Sequence, residues 1–122
     1  MDKKFVLTAF GYAILGLVLG IYMAASHNHG QMVTHAHIML LGFVVSFIYA
    51  VCHKLWLNNC TSTLSKVQYW LHQLATAILV IGLFLLYGQI IAIETMDPIL
   101  AIASITAFIA LVLMKVLLVK RS

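Results

Sequence analysis

Long apolar stretches separated by short polar clusters set the pattern of this sequence. No Asp, Glu, Lys or Arg occurs between Lys4 and Lys54, whereas a membrane-spanning helix needs only roughly 20 apolar residues. That interval therefore holds two spans, and the cluster from His27 to Gln31 is the only part of it that suits a turn. The first span is predicted at about 5–25 and the second at about 35–55.

The second half of the chain repeats this pattern. A third span is predicted at about 67–89 and a fourth at about 99–119, each preceded by a polar loop: residues 58–65, and then Glu94, Asp97 and Pro98. Lipid offers the backbone no hydrogen-bond partners, so segments that cross it form helices. The pattern predicts an all-α membrane protein with four transmembrane helices.

Composition agrees with this prediction. Of 122 residues, 64% are hydrophobic and 8% are charged, whereas soluble domains are about 45–50% apolar and about 25% charged. This excludes a soluble globular protein, a disordered protein and a nucleic-acid binder, and it leaves residues 1–122 as one transmembrane domain surrounded by lipid. The first apolar run exceeds the roughly 7–15 residues of a signal-peptide core, so we expect a retained helix.

The basic residues give an orientation. All of them fall at the two termini or in the middle loop: Lys3, Lys4, Lys54, Lys66, Lys115, Lys120 and Arg121. By the positive-inside rule, both termini and the middle loop are predicted to be cytoplasmic, and the first loop faces outward. Trp56 and Trp70 flank the middle loop and suit the aromatic belt. We expect an integral protein of a bacterial cytoplasmic (inner) membrane.

Four of the six histidines lie close together, at positions 27, 29, 35 and 37. Ionisable groups in a span are costly and usually functional, and imidazole is a common metal ligand that also binds haem iron. Two helical residues turn a side chain by about 200°, so His35 and His37 are predicted to point to opposite faces. Each could then bind its own cofactor. The alternative is a pair of interfacial histidines hydrogen-bonded to water and lipid.

Other polar residues extend this picture. One helical stripe joins His35 with Met39, Gly42, Ser46, Tyr49 and His53, and its small and polar residues predict a face turned to protein, with Gly42 leaving room for something flat or for a close neighbour. His27 and His29 suit a second metal, contacts to haem propionates, or a plain solvated turn. Met23, Met32 and Met39 add thioethers that copper accepts. His53 and His72 are predicted near the opposite membrane face, with no assigned role.

The run from Thr34 to Phe43, THAHIMLLGF, resembles the histidine-bearing helix of the haem–copper oxidase catalytic subunit. The resemblance implies that His35 and His37 ligate haem iron on opposite faces of the helix. That subunit has twelve helices in three groups of four, so this chain resembles one group, and three copies would rebuild the set as a homotrimer. His35 of one copy would then approach His37 of the next. The family's adjacent His-His pair for copper is missing here, which leaves no basis for predicting an enzymatic reaction.

The sequence therefore predicts a membrane protein that binds haem b, with His35, His37, Met39 and Gly42 as the cofactor-binding residues. Electron transfer with a redox partner, or the handling of a diatomic gas, is the expected role. Two alternatives stay open: a protein that handles copper or zinc through the outer histidines, and a structural or assembly subunit whose histidines only form hydrogen bonds.

Overall fold

Four long helices account for nearly the whole chain in the computed structural model, which describes residues 1–121; Ser122 and the side chain of Arg121 lie outside the described part. The helices are α1 (Asp2–Ser26), α2 (Met32–Leu55), α3 (Thr63–Tyr87) and α4 (Ile93–Arg121). Each is long and apolar enough to cross a membrane. The prediction of an all-α protein with four membrane-spanning helices is confirmed at this level.

The fourth helix begins earlier than predicted. Glu94, Asp97 and Pro98 were assigned to a loop, but α4 starts at Ile93 and contains all three residues. Glu94 in the first turn is favourable beside the positive end of the helix dipole. Pro98 is the sixth residue of α4 and has no N–H to donate to the carbonyl of Glu94, a loss that long membrane-spanning helices tolerate. The prediction of a loop there was wrong.

The middle of α2 departs from regular α-helix. Ile38–Val45 is π-helical, between the α-helical segments Met32–His37 and Ser46–Leu55. The wider turn of a π segment changes which residues share a face, and such segments are frequent at functional sites. His35 and His37 lie in the turn immediately before it.

The helices form two antiparallel pairs, with α1 against α2 and α3 against α4. The termini and the middle loop lie at one end of the bundle, which we call the basic end; there the backbone N–H of Asp2 donates to Oδ1 of Asn59 at 2.9 Å. We call the opposite end the first-loop end. There, Nε2 of Gln31, just before α2, donates to the carbonyl of Phe84 in α3 at 3.0 Å.

The largest apolar core lies toward the basic end, where all four helices meet. It consists of Phe5, Tyr49, Ala50, Cys52, Leu57, Met114 and Leu117. The fully buried ring of Phe5 lies at its centre and packs edge-on against Tyr49 and Tyr69, with ring centroids 5.4 and 5.0 Å away. The first-loop end has less core, and this leaves its clefts and histidines accessible.

Candidate functional site: the first-loop histidines

His35 is held between α1 and α2. Its Nδ1 lies 2.8 Å from the carbonyl oxygen of Gly16, and the residue is partly buried. A β-carbon on Gly20 would lie 3.1 Å from Cε1 of His35. The Gly16–Gly20 pair therefore brings α1 close enough to contact the imidazole, as small residues commonly do between membrane helices.

Met39 lies one turn below His35 on the same side of α2. A β-carbon on Gly16 would clash with its Sδ and would lie 2.9 Å from Cγ2 of Ile38. Met39 thus packs into the notch that Gly16 leaves in α1. Its position beside His35 matches the predicted stripe, and its contact in this chain is with α1.

His37 points away from that seam. Its Nδ1 lies 2.9 Å from the carbonyl oxygen of Val33 in its own helix, and the side chain is partly exposed. Among the described residues, it makes no hydrogen bond and no ring contact with another helix. The surface that continues from it along α2 is apolar, with Leu40 and Val44 exposed.

The two hydrogen bonds fix the chemistry of both rings. A carbonyl oxygen only accepts, so in each histidine Nδ1 carries the hydrogen and donates it. In the neutral ring, Nε2 then has a lone pair that is available to a metal ion. Metal-bound histidines are typically oriented by a donated hydrogen bond of this kind from the other ring nitrogen. Both side chains therefore have the tautomer and the support that a metal ligand needs.

His27 and His29 lie in the exposed turn between α1 and α2. His27 ends α1 in the left-handed conformation, with φ of 56°, and Oδ1 of Asn28 accepts the N–H of Gly30 at 3.0 Å. The turn is thus held by its own hydrogen bonds. Within residues 1–121, no group of three or more His, Cys, Asp or Glu side chains is placed to share a metal ion.

The predicted stripe on α2 faces protein, as expected, and that protein is α1 and α3 of the same chain. A β-carbon on Gly42 would lie 2.5 Å from Cγ of Tyr12, so the Tyr12 ring fills the space beside Gly42. Ser46 and Tyr49 are buried inside the bundle. Gly42, Ser46 and Tyr49 are therefore covered by α1 and α3 of the same chain and offer no surface to a neighbouring copy.

His53 and His72 are the residues that sequence reasoning placed least well. Both were predicted near a membrane interface, and both are completely buried. His53 stacks on Phe5 at 5.6 Å between centroids, and Nε2 of His72 lies 2.8 Å from Oγ of Ser46. The available signal was the spacing of Ser65, Gln68, His72 and Thr76, which places four polar residues on one face of α3.

A cleft of about 990 Å³ opens at the first-loop end. It lies between α1, α2 and α3, with apolar walls that include Val18 and Phe84 and polar groups that include Gln31 and Thr34. His35 and His37 are outside its described lining. Comparison of the chain with protein-family models, with curated proteins and with solved structures finds no match.

Proposed function

We propose that the protein binds haem b, with His35 and His37 as iron ligands, and that it transfers electrons in the membrane. The observation that supports this most is that Nδ1 of each ring donates to a backbone carbonyl, at 2.8 and 2.9 Å, which leaves each Nε2 free to ligate. Bound haem would supply one-electron redox chemistry there. The histidines would hold the group and keep its orientation.

The two ligands of one haem would come from two copies of the chain. His35 faces α1 and His37 faces outward, so one chain offers a single ligand to each side. His53 and His72 are enclosed in the other half of the bundle. A cyclic homotrimer supplies the missing ligand by bringing His35 of one copy to His37 of the next, and such rings close without free interfaces.

The contact between copies would use surfaces that the chain leaves exposed. Leu40 and Val44 continue the His37 side of α2, and Leu17 and Ile21 lie exposed on α1. These apolar side chains can pack against a neighbour or against lipid. His27 and His29 are exposed at the same end, where they could donate hydrogen bonds to haem propionates.

Electron transfer is favoured over gas binding, because two histidine ligands would leave the iron no open position for a gas. The resemblance of the Thr34–Phe43 run to the haem–copper oxidase helix supports the same ligands. The proposal also includes cytoplasmic termini in a bacterial inner membrane, supported by the basic residues at one end. A copper or zinc site would need ligands from several chains, because the described residues of one chain do not assemble three.

Optical spectra of purified variants test the ligand assignment. Wild-type protein should show the sharp reduced bands of low-spin haem b, and acid acetone should extract the haem because the sequence has no CxxCH attachment motif. His35→Ala and His37→Ala should each abolish the low-spin spectrum, whereas Ser104→Ala, at an exposed position of α4, should keep it. Retention of the spectrum in both variants would refute the assignment, and a colourless wild-type protein would favour a structural role.

A further inference from the structure

Polar side chains from α2 and α3 meet inside the bundle, away from the first-loop histidines. Ser46, His72 and Thr76 are all completely buried. Nε2 of His72 lies 2.8 Å from Oγ of Ser46, and the Tyr49 ring packs edge-on against the imidazole with 4.9 Å between centroids. This cluster has no part in the proposed haem site.

Two atoms of the cluster are buried without a hydrogen-bond partner among residues 1–121: Nδ1 of His72 and Oγ1 of Thr76. A buried polar atom that lacks a partner is costly, so such atoms in native proteins are usually satisfied by ordered water or another ligand. Their occurrence one helical turn apart, on the same face of α3, indicates a shared partner rather than two separate defects.

Thr76 differs from three other hydroxyl residues of these helices. Thr8, Ser104 and Thr106 each donate to the carbonyl four residues earlier, at 2.8 Å. This is the usual local bond for a hydroxyl within a helix. Thr76 does not make it, although the carbonyl of His72 stands in the equivalent position. Its hydroxyl is therefore free to bind a partner in the bundle interior.

Both unpartnered groups need a partner that can donate and accept. Oγ of Ser46 lies 2.8 Å from Nε2 of His72 and 3.4 Å from the carbonyl oxygen of Leu41. Nδ1 of His72 needs a donor in one tautomer and an acceptor in the other. The Thr76 hydroxyl can both donate and accept. A small molecule that donates to one group and bonds the other satisfies both, and water has this chemistry.

We propose that His72 and Thr76, with Ser46 holding the imidazole in place, form an internal water-binding site in the centre of the bundle. His53 lies toward the basic end, completely buried and with neither ring nitrogen partnered by a described residue, and it stacks on Phe5. The Phe5 ring also lies 6.0 Å from the ring of His72, so both histidines border the same buried core.

Water-edited solid-state NMR of the full-length, isotopically labelled protein in lipid vesicles tests this proposal. Magnetisation should pass from water to His72 and Thr76 at least threefold faster than to Ala103, which is also buried but lies in an apolar part of α4. Exposed His29 gives the upper reference. Equal transfer rates for His72 and Ala103 would overturn the proposal.

A matched pair of variants locates the water. Thr76→Val keeps the side-chain shape and removes the hydroxyl, so transfer to His72 should fall at least twofold. Thr106→Val makes the same change at a partly exposed threonine with its local bond, and transfer to His72 should stay as in wild type. If Thr76→Val folds and leaves the His72 signal unchanged, Thr76 does not hold the water and the proposed site is wrong.

Discussion

The packing of Gly42 against Tyr12 makes a quantitative test of the α1–α2 interface. A β-carbon on Gly42 would lie 2.5, 2.7 and 2.9 Å from Cγ, Cβ and Cδ1 of Tyr12. These atoms include the base of the Tyr12 side chain, so a rotation of the ring alone cannot relieve the contact. Gly42→Ala therefore forces α1 and the π-helical part of α2 apart.

Two effects of opposite sign set the change in unfolding free energy that Gly42→Ala causes. Overpacking of this kind typically costs about 1–3 kcal/mol, and alanine is favoured over glycine in a helix by about 1 kcal/mol. Gly11 provides the matched control, because a β-carbon there would meet no atom within 4 Å. Gly11→Ala should then be neutral or stabilising. We expect Gly42→Ala to be less stable than Gly11→Ala by about 2 kcal/mol, or roughly 30-fold in the unfolding equilibrium constant.

Reversible unfolding of the purified protein in mixed detergent and SDS micelles, followed by helical circular dichroism, measures this difference. Equal stability of the two alanine variants would refute the interface. Tyr12→Ala in the Gly42→Ala background should recover part of the loss, because it removes the clashing ring. If the effects of the two substitutions simply add, Gly42 and Tyr12 do not interact as described.

Three further predictions concern other parts of the chain. Ser62→Ala should lower the unfolding free energy by about 0.5–2 kcal/mol in the same assay, because Oγ of Ser62 caps α3 by accepting the N–H of Ser65; an unchanged stability would show that the cap contributes nothing. Cysteine at Asn28 should react with an impermeant thiol reagent in intact cells while Cys60 does not, and the opposite labelling would reverse the orientation. Gly20→Val should reduce haem content at least twofold, because it presses on the ring of His35; Gly11→Val should not, and equal haem contents in the two variants would contradict the role of Gly20.

The number of helices and most of their bounds could be predicted from the sequence, because a long apolar run in lipid has few structures open to it other than a helix. It was insufficient for the start of α4, since Glu94 and Asp97 are equally compatible with a loop and with a first helical turn. It also gave no sign of the π-helical segment, because the apolar run at 38–45 has no polar residue whose placement would reveal the wider turn.

The sequence predicted the opposed placement of the two candidate ligands but not the residues that surround them. The opposed placement of His35 and His37 follows from helical periodicity. That the carbonyl of Gly16 supports His35 depends on a contact between two helices, which periodicity within one helix does not specify. His53 was expected near the interface because Lys54 follows it, yet the cluster around Phe5 covers it completely. Position along the helix therefore did not predict burial.

Complementation between two defective chains tests the shared haem site most directly. A chain with His35→Ala retains His37, and a chain with His37→Ala retains His35, so neither can form a site alone. In a cyclic trimer that contains both chains, one junction in three joins the two intact histidines. Random assembly from equal amounts should restore low-spin haem to about a quarter of the wild-type level. Mixed complexes without any haem, while the wild-type protein binds it fully, would contradict the account.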